Sequence, residues 1–278
     1  MLIRAGYEVT LSAFTPTPVV ALLSIRPERA AALKTPHTIL NDRGAAMQDY
    51  RDGFGNICTR FLLPSGVSKL SCDFVIEDCG EPDLQRLDAC QHDVAELPSD
   101  VLGYLIGSRY CETDLLSDAA WNLFGHTRTG WERVQAIVDF VHNHLAYGYP
   151  HARATRTAFE AYQERVGVCR DFAHLAVALC RCMNIPARYC SGYLGDIGVP
   201  AMDVPMDFHA WFEVYLGGAW HAFDARHRIP RIGRILMACG RDAADTALTT
   251  AFGSTQLLDF KVHTDEIPEN IPASSLAA

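Results

Sequence analysis

The first thirteen residues alternate between apolar and polar side chains. The apolar positions on one side of this segment are Ile3, Ala5, Tyr7, Val9 and Leu11. Alternation with a period of two predicts a half-buried β-strand. Short apolar runs between turn-forming residues predict three further strands, at residues 19–25, 58–63 and 70–77. Several short strands with Gly and Pro between them predict a β-sandwich over residues 1–95.

A polar stretch with two prolines, residues 79–99, separates this β-rich region from a helical one. Apolar residues then recur at intervals of three and four, which predicts amphipathic helices. The predicted helices cover residues 115–124, 131–144, 155–163 and 170–183. Pro186 follows the last of them, where a helix cannot continue. We therefore divide the chain into a β-sandwich domain, residues 1–95, and a mixed α+β domain, residues 96–278.

Three strands are predicted after the last helix, at residues 187–194, 208–216 and 219–224. The last two flank Gly217-Gly218, a strong signal for a two-residue hairpin turn. With that turn, Asp224 lies opposite Trp211 and shares a face with His209. Diagonal neighbours of this kind lie roughly 7–8 Å apart at the backbone, within reach of side-chain contact. A three-residue turn would place the two on opposite faces of the hairpin.

Cys169 stands at the start of the helix predicted over residues 170–183. Free N–H groups and the helix dipole favour a thiolate there, and the thiolate is the nucleophilic form of cysteine. Taken singly, each polar residue has an ordinary structural interpretation: a buried cysteine, a core histidine or a capping aspartate. Together, Cys169, His209 and Asp224 predict a catalytic triad, in which the carboxylate orients the imidazole.

Composition excludes several other classes of protein. The net charge of −9 argues against general nucleic-acid binding, which needs basic patches. The chain has neither a signal peptide pattern nor an apolar run of membrane-spanning length, so we expect a cytoplasmic protein that does not bind membranes. For its ten cysteines, the lack of a secretion signal favours reduced thiols over disulfides. The lack of a C-x-x-C pair argues against a zinc site. No nucleotide fingerprint is present, and no metal or other cofactor is expected.

A run of four arginines follows Asp224 and also needs an interpretation. Its members are Arg226, Arg228, Arg231 and Arg234. Such a run could bind an acidic ligand, but in an acidic protein we favour surface salt bridges. Asp171, in the first turn of the helix that Cys169 begins, is interpreted as a helix cap rather than as a catalyst.

Four segments of the chain resemble the bacterial transglutaminase-like superfamily. They are G-V-C-R-D-F-A-H-L at 167–175, N-I-P-A-R-Y at 184–189, H-A-W-F-E-V at 209–214 and W-H-A-F-D at 220–224. The turn at residues 52–56 is similar to one in the β-rich domain that precedes many bacterial members. The resemblance implies a papain-like fold, in which a helix bearing the cysteine packs on an antiparallel sheet. It also implies that Cys169 is the nucleophile, His209 the general base and then acid, and Asp224 the orienting carboxylate.

The resemblance implies a mechanism, acyl transfer at an amide through a thioester. It says less about the substrate. We expect a cysteine hydrolase, a protease or amidase, acting on a protein or peptide. Two alternatives remain open: a protein-glutamine transamidase, and a catalytically silent scaffold that keeps the fold. No pattern in the sequence indicates an oligomeric state.

Overall fold

The computed structural model of the chain describes residues 1–201 and 206–268. Within these ranges the strands are β1 (Leu2–Ala13), β2 (Thr17–Ala21), β3 (Leu40–Asn41), β4 (Met47–Arg51), β5 (Ile57–Leu63), β6 (Gly66–Glu77), β7 (Ala146–Tyr147), β8 (Val166–Gly167), β9 (Ala187–Tyr193), β10 (His209–Leu216), β11 (Ala219–Phe223), β12 (Ile235–Gly240), β13 (Thr249–Ala251) and β14 (Thr255–Ile267). The α-helices are α1 (Thr113–Phe124), α2 (Trp131–His144), α3 (Ala158–Glu164) and α4 (Cys169–Cys182).

Two antiparallel sheets form the β-sandwich. Their strand orders are β14-β1-β6-β3 and β13-β2-β5-β4. The apolar side of β1 is buried, as its alternation predicted, and it packs with apolar residues of β2 and β5 in one core. The same core includes Tyr193 and Ile235, so it continues from the sandwich onto the strands β9 and β12.

The end of the chain returns to the sandwich. Strand β14 pairs with β1 along its whole length, and β13 pairs with β2. Both strands lie within residues 96–278 and nevertheless complete the two sheets of the sandwich. In β14 only Val262 and Thr264 are buried, because the strand lies at a sheet edge. Its sequence therefore lacks the apolar alternation that marks a core strand.

The remaining four-stranded sheet is antiparallel, with the order β11-β10-β9-β12, and it supports α4. Almost every residue of α4 is buried, because α1, α2 and α3 surround it on the sides that the sheet leaves open. Helix and sheet share one core, to which β10 contributes Phe212, Val214 and Leu216. This is the predicted α+β arrangement, a cysteine-bearing helix packed on an antiparallel sheet.

The turn at residues 52–56 joins the sandwich to this sheet. Asp52 holds the turn closed by accepting from the N–H of Asn56 at 2.9 Å. The Asn56 amide then donates to the carbonyl of Cys239 and accepts from its N–H, at 2.8 and 2.9 Å. The buried amide thereby provides hydrogen-bond partners for backbone groups of β12 and holds the two regions together.

Candidate active site

Cys169 is held at the start of α4 by a compact backbone arrangement. The strand β8 ends two residues before it and pairs in parallel with β7. Asp171 reaches back and accepts from the N–H of Val168 at 2.9 Å, so it caps the helix as predicted. Gly167 is required at this point, because a Cβ on it would lie 2.6 Å from the Cβ of Asp171. The cap therefore fixes the position from which the thiol projects.

His209 and Asp224 are brought together by the hairpin of β10 and β11. The turn has two residues, and Leu216 pairs with Ala219, which is the predicted register. Gly217 and Gly218 have φ angles of +56° and +83°, which glycine adopts without strain. In this register the His209 Nε2 and the Asp224 Oδ2 lie 2.7 Å apart. The predicted contact between the two side chains is present, and both are buried.

Asp224 receives more hydrogen bonds than the sequence predicted. Its Oδ2 also lies 2.9 Å from the His227 Nδ1 and 3.2 Å from the Arg234 Nη2. Its Oδ1 accepts from the N–H groups of Arg226 and His227, each at 3.0 Å. Burial alone would raise the pKa of Asp224, but these partners hold it well below its usual range. The carboxylate is therefore charged across the physiological pH range.

The sequence interpretation of the arginine run is wrong for two of its members. The side chain of Arg234 is only 8% exposed, and it bridges Asp224 and Asp83. Arg231 is buried too, and donates to the carbonyl of Gly195 at 2.8 Å. His227 was likewise missed. Its spacing from Asp224 could have indicated the contact, because the side chain of a histidine three residues after an aspartate in a turn can reach back to the carboxylate.

Cys169 and His209 line the same cleft, which has a volume of about 330 Å³. Tyr147 and Phe208 contribute aromatic walls, and Asp207 contributes a carboxylate. A cavity of this size accommodates a few side chains or a short peptide segment. The cysteine and the histidine of the predicted triad are thus accessible from a single substrate-sized opening.

The thiol and the imidazole are both neutral in the resting site. Burial raises the pKa of the Cys169 thiol to about 11. Burial also lowers the pKa of His209 to about 4, although the neighbouring Asp224 charge opposes this shift. The helix start predicts a favoured thiolate, whereas burial of the thiol acts in the opposite direction. Deprotonation of the thiol must therefore accompany its attack on a substrate.

One group of side chains could also hold a metal ion. Ligand atoms of His209, Asp224 and His227 all lie within 4.8 Å of one another. Two imidazoles and a carboxylate are ligands that zinc accepts. However, both Asp224 oxygens already accept hydrogen bonds from protein donors. A metal would have to replace these bonds. The three side chains already form a hydrogen-bonded network in which Asp224 needs no metal as a partner.

Comparison with known proteins identifies the domain that holds this cleft. Residues 120–225 match the profile of the family described as the transglutaminase-like superfamily, a range that contains Cys169, His209 and Asp224. This chain carries a transglutaminase-like domain. The resemblance seen in the sequence motifs is thereby confirmed.

A solved structure extends the likeness beyond the transglutaminase-like domain. It belongs to a Cytophaga hutchinsonii protein, described there as a proposed cysteine protease. The TM-score is 0.83 at 28% identity, over 98% of this chain and 92% of that one. The similarity therefore includes the β-sandwich as well as the transglutaminase-like domain.

Two mycobacterial relatives cover less of the chain. An uncharacterised protein of Mycobacterium leprae is 36% identical over 94 residues, which are 33% of this chain and 33% of that protein. One from Mycobacterium bovis is 27% identical over 178 residues, which are 59% and 57% of the two chains. The matched regions thus span less than two thirds of either relative. With the solved structure, these findings support a cysteine-dependent hydrolase or transferase at the level of the superfamily. Among the described residues, no helix is long and apolar enough to cross a membrane.

Proposed function

We propose that this transglutaminase-like protein is a cysteine hydrolase that cleaves an amide or peptide bond through a thioester. The observation that carries the proposal is the His209–Asp224 hydrogen bond of 2.7 Å beside a cleft that Cys169 also lines. A carboxylate that fixes an imidazole next to a thiol is the arrangement that activates a cysteine nucleophile. The substrate class proposed is a protein or peptide.

Hydrogen bonding assigns the proton on His209. Asp224 is ionised and can only accept, so Nε2 of His209 carries a proton and donates it to Oδ2. The other ring nitrogen, Nδ1, is then unprotonated in the neutral ring. It can remove the thiol proton as the sulfur of Cys169 attacks the substrate carbonyl carbon. The imidazolium formed in that step is stabilised by the Asp224 charge.

The following steps need a donor for the substrate oxygen. The carbonyl oxygen becomes negative when the C–S bond forms, and a backbone N–H without an intrahelical acceptor is suited to stabilise it. Cys169 opens α4, so its own N–H is in such a position. His209 then protonates the leaving amine, and a thioester remains on Cys169. Water, deprotonated by His209, attacks the thioester and releases the acid.

An acyl-trapping experiment tests this proposal. The wild-type protein is incubated with a peptide pool, quenched in acid, and digested for mass spectrometry. We expect a substrate-derived acyl group on Cys169 of the wild type. Cys169→Ala should carry none, and His209→Asn should carry far less at equal incubation time. A folded wild-type protein that never acquires an adduct, with any peptide offered, supports the silent scaffold instead.

A further inference from the structure

Asp207 is an unpaired carboxylate inside the candidate active-site cleft. It stands two residues before His209, is half-buried and lines the same opening as Cys169. Its Oδ1 accepts from the N–H of Phe208 at 2.6 Å. The influences on its pKa are burial, which raises it, and that one backbone bond, which lowers it. No ion pair with Asp207 occurs within residues 1–201 and 206–268, and the rest of the sequence contains no Lys, Arg or His.

The positive groups of the cleft are already engaged. The Arg226 guanidinium lies over the Tyr147 ring, 3.9 Å from its centroid, and also contacts the His227 ring. Arg231 donates to the carbonyl of Gly195. Asp207 therefore lines the cleft without a cationic partner among the described residues. Partly buried charges normally have a partner, because desolvation without one is costly.

The charge of Asp207 also acts on the nucleophile. It contributes to the raised pKa of the Cys169 thiol, so it opposes formation of the thiolate. A carboxylate that makes the nucleophile less reactive does not assist the chemical step. Its position instead suits the binding of a positive group that enters with the substrate. That cation would supply the missing partner and offset the effect on the thiol.

We propose that Asp207 binds a cationic group of the substrate, so that the cleft selects amide or peptide bonds next to a Lys or Arg side chain or another protonated amine. This inference rests on the proposed function, because it names the substrate class of the same site. Asp207 acts by binding substrate, and it takes no part in proton transfer to the thiol.

Charged thiol reagents test the charge preference without any known substrate. The Cys169 sulfur attacks the sulfenyl sulfur of a methanethiosulfonate, which forms a mixed disulfide and releases methanesulfinate. One reagent carries a trimethylammonium group and the other a sulfonate. The exposed Cys79 and Cys90 are changed to serine beforehand, and modification of Cys169 is followed by mass spectrometry. We expect the cationic reagent to react faster with the parent protein.

In Asp207→Asn, the cation-to-anion rate ratio should fall by about three- to tenfold, as expected for loss of one nearby charge. The matched control is Asp118→Asn, an exposed residue of α1 that loses the same charge outside the cleft and should leave the ratio unchanged. Neutral iodoacetamide should react faster with Asp207→Asn than with the parent, because the thiol pKa falls. A collapsed cleft would slow all three reagents.

The inference is overturned if Asp207→Asn changes the ratio no more than Asp118→Asn does. The acyl-trapping experiment can fail independently of this one. If the rate ratio depends on Asp207 but no acyl adduct forms, the cation site is supported and the proposed hydrolysis is not. If peptides are trapped, most of those found on the wild type should have a Lys or Arg beside the cleaved bond. In Asp207→Asn the share of such peptides should fall.

Discussion

His227 donates to the same Asp224 oxygen that His209 contacts. The two distances to Oδ2 are 2.9 Å from His227 Nδ1 and 2.7 Å from His209 Nε2. Arg226 lies against the other ring nitrogen of His227, and a guanidinium can only donate. The Nε2 of His227 therefore accepts, and its Nδ1 carries the proton that is donated to Asp224. We infer that His227 is a positioning residue that fixes the Asp224 carboxylate.

Substitution of His227 should separate this hydrogen bond from simple packing. In His227→Asn the amide nitrogen can occupy the place of Nδ1, so we expect activity close to wild type. In His227→Leu the donor is lost, and kcat/KM should fall about ten- to hundredfold, the value of one hydrogen bond to a charged group. Steady-state kinetics with a substrate identified by acyl trapping measure kcat/KM for each variant. Equal losses in both variants, at equal thermal midpoints, would contradict the positioning role.

Asp224 should matter for stability as well as for activity. It is buried with Arg234, and removal of one partner from a buried ion pair leaves the other charge uncompensated. We expect Asp224→Asn to lower the free energy of unfolding by about 3 kcal/mol, since Asp83 remains as a second partner of Arg234. Urea denaturation measures the change.

The control for this measurement is Cys169→Ala. The thiol is only partly buried and faces a cleft, so its loss should cost less than about 1 kcal/mol while activity disappears. A larger destabilisation in Cys169→Ala than in Asp224→Asn would show that Cys169 is a core residue. It would also remove the main support for the proposed role of Cys169 as the nucleophile.

The loss of activity at low pH should follow the protonation of His209. Its pKa is lowered to about 4 by burial, so the ring stays neutral and able to act as a base at pH values where an ordinary histidine is protonated. Activity should persist at about pH 5.5 and be lost as the pH falls through the His209 value. A loss of activity centred near about 6.5 would mean that His209 titrates as an exposed histidine does.

The geometry of the candidate site could be predicted from sequence because it depends on local patterns. The Gly217-Gly218 turn determines the hairpin register, and the register determines which residues meet His209. Cys169 was located by the helix that begins with it. These are short-range relationships, so a single sequence is sufficient to derive them.

The rest depends on long-range packing, which local patterns do not encode. Strand β14 pairs with β1 although nearly all its side chains are exposed, so no apolar period marks it. Arg234 is buried because Asp83, far away in sequence, approaches it from the polar stretch 79–99. The neutral state of Cys169 follows from the burial of the cleft, which no spacing in the sequence reveals.

A chelator should not abolish activity. His209, Asp224 and His227 could bind a metal, but the hydrogen bonds that Asp224 accepts would have to break first. Turnover should therefore survive incubation with EDTA and dialysis. Added zinc should inhibit, because it would occupy the imidazole that acts as the base, and EDTA should reverse the inhibition. Loss of activity in EDTA that one added metal restores would refute a metal-free mechanism.

Hydrolysis should predominate over transfer of the acyl group to an amine. An amine attacks a thioester only in its neutral form, because a protonated amine has no free electron pair. The cleft carries the unpaired Asp207 charge, which favours the protonated form of any amine that enters. Water has no such restriction. We therefore expect the free acid as the main product even when a primary amine is present at about millimolar concentration.

The test is to supply an acyl donor and excess primary amine, then separate the acid from the amide by mass spectrometry. The same mixture with Asp207→Asn is the informative comparison. If Asp207 holds incoming amines protonated, the share of amide should rise in that variant, and it should also rise with pH in the wild type. An amide that exceeds the acid in wild type near neutral pH would instead favour the transamidase. In that case the carboxylate would assist the acceptor amine rather than restrain it.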